Sequence, residues 1–124
     1  AEPWIAVNPN YLEINAASQV KDPNSVWAHY KHLVELRHND PVVALGEFEM
    51  LDKQDPHIYT IVRRLGSEGL IMFANLSDDC HFVSVPDEIV AKQPTLISQN
   101  LADAAAFAES MELRPWEAVV YRWK

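Results

Sequence analysis

The pattern of apolar and polar residues divides the chain into three parts. In residues 1–21 it follows neither a helical nor a strand period, and the stretch PWIAVNPNYLEIN (3–15) contains two prolines and three asparagines. This pattern predicts a long loop. In the second part, apolar residues recur at three- and four-residue steps, which predicts an amphipathic helix over residues 22–38. Its broad apolar stripe follows the positions Val26, Trp27, Tyr30, Leu33, Val34 and Arg37.

Both ends of this predicted helix carry suitable signals. Asp22 is a favourable N-cap, and Pro23 suits the first helical position because its missing N–H is not needed there. Pro41 disfavours helical geometry in the residue before it, so the segment Asn39-Asp40-Pro41 is expected to stop the helix.

The third part, residues 41–124, has the pattern of short strands separated by tight turns. The predicted strands are VVAL (42–45), EFEML (47–51), HIYTIVRRL (57–65), LIMFANL (70–76), CHFVSV (80–85), PTLISQN (94–100) and WEAVVYRW (116–123). LIMFANL is nearly all apolar, as expected of a central strand, and GSEG (66–69) before it predicts a hairpin turn. LADAAAFAESM (101–111) has high helix propensity, but its position between two strands favours a loop with at most one or two turns. The prediction is a mainly β fold, an antiparallel β-sandwich preceded by one α-helix.

Composition narrows the possible partners. The net charge of −8 argues against nucleic-acid binding, which needs clustered Lys and Arg. No apolar run approaches the roughly 20 residues of a membrane-spanning helix. Cys80 is the single cysteine, so an intrachain disulfide and a cysteine-based zinc site are both excluded. A cytoplasmic protein is therefore expected, with Cys80 as a small buried residue on a strand.

The residues that could take part in catalysis or bind a metal have ordinary structural explanations in this sequence. Asp78 and Asp79 belong to an expected solvated turn. His29 and His32 are three residues apart on the predicted helix, but no cysteine or carboxylate follows at ligand spacing and His38 points elsewhere. The serines lack a nucleophile-elbow context such as G-x-S-x-G. No metal ion and no cofactor are therefore predicted.

The four tryptophans leave two interpretations open. Exposed aromatic rings bind sugars by stacking, so Trp4, Trp27, Trp116 and Trp123 are compatible with an independent carbohydrate-binding β-sandwich module. Packing is the favoured interpretation, because Trp27 lies on the apolar helix stripe. Trp123 ends the last strand and is the tryptophan that the pattern allows to be exposed.

Several blocks resemble one enzyme family in the order in which they occur here. They are PWIAVNPNYLEIN, DPNSVWAHYKHLVELRHNDPVV, GEFEML, IYTIVRRLGSEGLIMFANLSD and LRPWEAVVYRW. The chain resembles the C-terminal end of α-glucosidases in the oligo-1,6-glucosidase, dextran glucosidase and trehalose-6-phosphate hydrolase branch of the α-amylase superfamily. In this family the position of Trp116 usually holds an aromatic residue, which also favours packing.

The resemblance implies a domain organisation. Family members have a (β/α)8 barrel followed by a C-terminal antiparallel β domain. By resemblance, residues 1–40 are the end of the barrel, with its last helix at 22–38, and residues 41–124 are the C-terminal β domain. We therefore expect a truncated piece of a longer, cytoplasmic α-glucosidase that acts on short α-glucosides, in which this region is structural.

The resemblance also bears on catalysis. Family members hydrolyse α-glucosidic bonds with retention, using two carboxyl groups, while a third stabilises the transition state. These residues lie at the ends of earlier barrel strands, so no catalytic residue is expected here and the isolated chain is expected to be inactive. Asn8, Asn10 and Asn15 are the candidates for substrate contact in the intact enzyme. The alternative is that these asparagines satisfy the backbone of the loop.

The predicted loop and helix are too apolar to be left in water. Trp4, Ile5 and Tyr11 in the loop add to the helix stripe, and burial of such a side chain is worth roughly 1.5 to 3 kcal/mol. The expected partner of this surface is the barrel of the same chain. In a chain without the barrel we expect self-association into a homodimer.

Overall fold

The computed structural model describes residues 3–124, so residues 1 and 2 of the predicted loop lie outside the described part. The chain divides into two compact units, one ending at Leu36 and the other running from Arg37 to Lys124. No helix among the described residues is long and apolar enough to cross a membrane.

The opening segment contains short helical turns where the sequence pattern predicted only a loop. A 3-10 helix covers Pro9–Leu12 and helix α1 covers Ala16–Gln19. Each is preceded by an asparagine, Asn8 or Asn15, whose side chain accepts a hydrogen bond from the first turn. These turns are too short to produce a period in the sequence, and the capping asparagines are their main local signal.

Helix α2 covers Val26–Asn39 and begins later than predicted. The Asp22 carboxylate accepts a hydrogen bond from the Asn24 N–H at 2.8 Å and so closes a turn before the helix. The hydroxyl of Ser25 accepts from the Ala28 N–H at 3.1 Å, which makes Ser25 the N-cap. The prediction of Asp22 as the cap was therefore wrong, because an Asp-Pro pair suits a turn as well as a helix start.

The segment VVAL, predicted as a strand, belongs to helix α3, which covers Pro41–Leu45. Asp40 is its N-cap and accepts a hydrogen bond from the Val42 N–H at 2.8 Å. Pro41 occupies the first helical position, so the residue pair that stops α2 also starts α3. A short apolar run does not by itself distinguish a strand from a helical turn. Here the preceding Asp40-Pro41 pair favours the helical turn.

The strands of the second unit form two antiparallel sheets. The described residues contain β1 (Glu47–Leu51), β2 (Ile58–Leu65), β3 (Glu68–Asn75), β4 (His81–Ser84), β5 (Thr95–Gln99), β6 (Ser110–Leu113) and β7 (Ala118–Trp123). Five strands pair in the order β1-β2-β3-β7-β5, while β4 pairs with β6. The mainly β, antiparallel fold is thus confirmed, with β3 as the central strand. A short helix, α4 (Asp87–Val90), follows β4.

The segment between β5 and β6 is a loop, as predicted, although strand β6 itself was missed. Tyr121 fixes this loop: its hydroxyl donates to the Ala105 carbonyl at 2.7 Å. The ring of Phe107 packs edge-on against Tyr121 with a centroid distance of 5.0 Å. Tertiary contacts therefore override the helix propensity of the alanine-rich sequence.

The core of the second unit takes side chains from both sheets and from α4. Its buried members are Ile58, Val62, Ile71, Phe73, Val83, Val85, Ile89, Met111, Leu113, Val119, Tyr121 and Trp123. Phe73, on β3, has no solvent exposure. The alternation along β3 and β7 places every second residue in this core.

Candidate functional site

The three asparagines predicted to be near substrate make local hydrogen bonds. Asn8 Oδ1 accepts from the Asn10 N–H at 3.3 Å, and Asn15 Oδ1 accepts from the Ser18 N–H at 2.9 Å. Asn15 Nδ2 also donates to the Tyr11 carbonyl at 3.0 Å. These bonds support the second interpretation, in which the asparagines hold the irregular backbone. A contact with substrate stays a prediction.

The main feature of the first unit is an exposed apolar surface, called here the apolar N-terminal surface. Trp4 is 94% exposed and Leu12 76% exposed, and no residue of α2 is fully buried. The surface consists of Trp4, Ile5, Val7, Tyr11, Leu12, Ile14, Val20, Val26, Trp27, Tyr30, Leu33 and Val34. Large exposed apolar side chains in this number, when they are contiguous, are typical of a surface that contacts a partner.

Three of the tryptophans differ from the predictions in their solvent exposure. Trp27 was expected in the core but is 40% exposed, and Lys31 Nζ lies 5.6 Å from the centre of its ring. Trp116 was expected to pack but is 56% exposed, whereas Trp123, the candidate for exposure, is 5% exposed. The Trp123 indole N–H donates to the Ser67 carbonyl at 3.1 Å, so its polar group is satisfied in the interior.

Trp116 is held in an unusual conformation by its neighbours. Its φ of 58° lies in the left-handed region, which bulky residues rarely adopt. Its indole N–H donates to Asp78 at 2.9 Å, its backbone N–H donates to the Ser77 carbonyl at 3.3 Å, and its own carbonyl accepts from Asn100 at 2.7 Å. The exposed ring therefore has a fixed position.

Cys80 lies on the surface, and two of the histidines stack on each other. Cys80 is exposed and precedes β4, so the prediction of a buried strand residue was wrong. His57 and His81 stack with ring centroids 4.6 Å apart. Within residues 3–124, no group of three or more His, Cys, Asp or Glu is placed to hold a metal ion.

An ion cluster around the buried Arg122 connects Asp40 to the last strand. Arg122, 9% exposed, donates from Nε to Asp40 Oδ2 at 2.8 Å and also pairs with Glu68. Burial alone would raise the pKa of Asp40. The hydrogen bonds from Arg122 and the Val42 N–H, with the charge of Arg122, together have the larger effect, so the pKa of Asp40 lies below its ordinary value. The cluster borders an open depression of about 490 Å³ that also contains Lys92 and Trp123.

Glu117, only 2% exposed, has a similar environment on the approach to β7. Burial raises its pKa, while hydrogen bonds from the Arg114 side chain and backbone lower it, with a net shift downwards. A general acid in glycoside hydrolysis needs a carboxyl group whose pKa is raised, so that it carries a proton at neutral pH. Asp40 and Glu117 have the opposite property and suit structural ion pairs.

Comparison with known proteins identifies the relatives of the chain. The sequence profile of the α-amylase catalytic domain matches residues 1–46. The oligo-1,6-glucosidase of Parageobacillus thermoglucosidasius is 41% identical over 121 residues, an alignment that covers 97% of this chain and 22% of that protein.

Solved structures also match this chain over nearly its whole length. Trehalulose synthase from Pseudomonas mesoacidophila matches with a TM-score of 0.87 and 31% identity, covering 99% of this chain and 22% of that one. Trehalose-6-phosphate hydrolase from Bacillus licheniformis matches with a TM-score of 0.88 and 29% identity, covering 97% and 22%. The chain therefore spans 22% of the length of these relatives. The predicted resemblance to the oligo-1,6-glucosidase and trehalose-6-phosphate hydrolase group of the α-amylase superfamily is confirmed.

Proposed function

We propose that this chain is the C-terminal part of an α-glucosidase-type glycoside hydrolase and that its role there is structural. Residues 1–40 complete a (β/α)8 catalytic barrel, with α2 as the last barrel helix. Residues 41–124 form a β-sandwich domain without catalytic residues. The complete enzyme hydrolyses short α-glucosides with retention in the cytoplasm, where a chain with the single Cys80 needs no disulfide.

One observation carries this proposal: the apolar N-terminal surface lies within the residues that match the catalytic-domain profile. The match covers residues 1–46, and the exposed side chains lie between Trp4 and Val34. A barrel helix packs its apolar stripe on the barrel and on neighbouring helices. The exposed stripe of α2 is the surface that such packing requires.

The second unit supports a structural role through its fixed ion pairs. Arg122 and Arg114 hold Asp40 and Glu117 in their ionised state. Such pairs orient backbone segments, here the start of α3 and the turn before β7. Asn8, Asn10 and Asn15 are proposed to shape the loop that follows the last barrel strand, near the substrate.

A hybrid enzyme tests the proposal. The part of the Parageobacillus oligo-1,6-glucosidase that aligns with this chain is replaced by the chain itself, and hydrolysis of isomaltose is measured. We expect an active hybrid and no turnover by the chain alone. The double substitution Trp4→Ser and Ile5→Ser should lower the melting temperature of the hybrid. The matched control Phe82→Ser, at an exposed apolar residue of β4, should leave it unchanged.

Two results would contradict the proposal. One is a hybrid that folds, as shown by a cooperative melting transition, but has no activity. The other is hydrolysis of isomaltose by the chain alone, above a buffer control.

The fixed, exposed ring of Trp116 favours a second candidate, an independent carbohydrate-binding module. Its indole face is open, while Asp78 fixes its orientation. Electrophoresis in gels containing soluble dextran tests this role. Retardation of the chain that disappears in Trp116→Ala would favour the module. Equal mobility with and without dextran would exclude it for this polymer.

A further inference from the structure

Trp116 is an exposed residue that the chain holds in a strained backbone conformation. Single exposed apolar side chains are common on protein surfaces and carry no information by themselves. Trp116 differs because its φ of 58° lies in the left-handed region, where the Cβ atom of every residue except glycine is crowded. Such strain persists only where the surrounding contacts enforce it, and it occurs mainly at functional sites.

The buried amide of Asn75 connects the two segments that carry Trp116 and Asp78. Asn75, 1% exposed, donates from Nδ2 to the Asp79 carbonyl at 2.7 Å and to the Arg114 carbonyl at 3.0 Å. The turn that contains Asp78 is therefore fixed against the backbone just before Trp116.

The ring of Trp116 and the carboxylate of Asp78 form one preformed surface. The indole N–H donates to Asp78 Oδ1 at 2.9 Å, so this bond uses the edge of the ring and one carboxylate oxygen. The side chain of Asp78 makes no other hydrogen bond or ion pair to residues 3–124, and the residue is exposed. The ring face and Asp78 Oδ2 are both open to a ligand.

A glucopyranosyl unit has the chemistry that fits this pair. Its hydroxyl groups lie around the rim of the sugar ring, while its two faces present C–H groups. These slightly positive C–H groups are attracted to the negative face of an aromatic ring. A rim hydroxyl can then donate a charge-assisted hydrogen bond to the carboxylate. Because the aromatic ring and the carboxylate are already held in place, binding loses less conformational entropy.

We propose that Trp116 and Asp78 form a non-catalytic binding site for a glucosyl unit of an α-linked glucan. The inference deepens the second candidate above and adds Asp78 as the polar contact. It rests on the proposed function only for the identity of the sugar, since an α-glucosidase-type enzyme meets such chains. The site is compatible with a structural role of the chain, because neither residue belongs to the core of the second unit.

Titration of the ¹⁵N-labelled chain with isomaltotriose tests the inference through the NMR signals of the four indole N–H groups. The Trp116 signal, assigned from its loss in Trp116→Phe, should shift and saturate. The signal of Trp123, 5% exposed, is the internal control and should stay constant, while Trp4, 94% exposed, reports non-specific stacking. Sorbitol, which has hydroxyl groups but no sugar ring, should cause no saturable shift.

Three variants separate a binding role from a structural one. Asp78→Ala should weaken binding roughly tenfold, because it removes a hydrogen bond to a charged group. Asp78→Asn keeps an oxygen for the indole N–H and should weaken binding less. Trp116→Gly should abolish binding, measured by saturation transfer to the sugar. Its melting temperature should be unchanged or higher, because glycine adopts the left-handed conformation without strain.

The outcomes are distinguishable from those of the hybrid enzyme described above. Absence of a saturable Trp116 shift, or an equal shift of Trp4, overturns the inference whatever the activity of the hybrid. A large decrease in the melting temperature of Trp116→Gly also overturns it, because the ring would then be a structural contact. Unchanged binding in Asp78→Ala overturns the role of Asp78. An inactive hybrid together with a saturable Trp116 shift overturns the structural proposal and supports the site.

Discussion

Arg122 donates a hydrogen bond from Nε to Asp40 over 2.8 Å, although 82 residues separate them in the sequence. Arg122 lies on β7 and Asp40 is the N-cap of α3, so the pair fixes the start of that helix against the sheet. Glu68 supplies a second carboxylate to the same guanidinium.

Replacing Arg122 with leucine should destabilise the chain by about 3 kcal/mol, because it leaves Asp40 partly buried without its cation. Urea denaturation followed by circular dichroism measures the change. The matched control is Lys92→Leu, at an exposed residue beside the same depression. A decrease in the free energy of unfolding of less than about 1 kcal/mol in Arg122→Leu would mean that water hydrates the Asp40 carboxylate as well as Arg122 stabilises it.

The chain should lose stability in acid, because the pKa values of three carboxyl groups among residues 3–124 are lowered. Burial raises the pKa of Asp40 and of Glu117, but the hydrogen bonds to each carboxylate and the charge of Arg122 or Arg114 together lower it below its ordinary value. Hydrogen bonds from the backbone N–H groups of His57 and Ile58 lower the pKa of Asp55. A group with a depressed pKa in the folded state stabilises that state above its unfolded pKa, and the contribution is lost as the pH falls through the folded value.

The free energy of unfolding should therefore be constant near neutral pH and decrease below about pH 5. Urea midpoints measured from pH 7 to pH 3 test this expectation. Glu117→Gln should be less stable at neutral pH and should show a flatter decrease. A variant with the same pH dependence as the unsubstituted chain would show that Glu117 does not contribute.

Phe73→Ala should cost roughly 3 to 5 kcal/mol, because the ring is fully buried and its removal leaves a cavity. Phe82→Ala is the matched control: Phe82 is 73% exposed and its loss should cost less than about 1 kcal/mol. Thermal and urea unfolding of both variants measure the difference. Equal costs would contradict the placement of Phe73 in the core of the second unit.

Gly69→Ala should be strongly destabilising, because a Cβ atom there would lie 2.0 Å from the ring of Trp123. Overpacking of this kind costs typically about 1 to 3 kcal/mol. The cost should be smaller when Trp123→Leu is already present, since the smaller side chain leaves room. A double-mutant cycle measures this coupling, and strictly additive costs would contradict the close contact.

The isolated chain should self-associate through the apolar N-terminal surface, most simply as a two-fold dimer. Light scattering over a concentration series measures the mass. The double substitution Trp4→Ser and Ile5→Ser should shift it towards the monomer while the second unit stays folded. A monomer mass at every concentration would contradict the expectation.

Sequence periodicity located most strands because β-branched and aromatic residues cluster there. HIYTIVRRL and LIMFANL became β2 and β3 with the expected turn between them. Periodicity failed for VVAL, where a four-residue apolar run fits either structure and the Asp40 cap makes it helical. It also failed for β6, a short strand whose pairing with β4 is a tertiary contact.

The exposure of individual side chains was harder to predict than the elements. The alternation from Val119 to Trp123 would have indicated that Trp123 lies on the same face as Tyr121. The exposure of Trp116 depends on a left-handed backbone and on contacts with Asp78 and Asn100, which are distant in sequence. The sequence contains no local signal for such contacts.

The position of β7 between β3 and β5 has a consequence for synthesis of the protein. During translation, β1, β2 and β3 can form a meander as soon as they leave the ribosome, but β5 has no neighbour in the sheet until Ala118–Trp123 has been made. At roughly 5 to 20 residues per second, the edge of β3 that later pairs with β7 stays unpaired for seconds. The nascent chain therefore carries an unpaired edge along β3 during that interval, and completion of the sheet is a late event in its biogenesis.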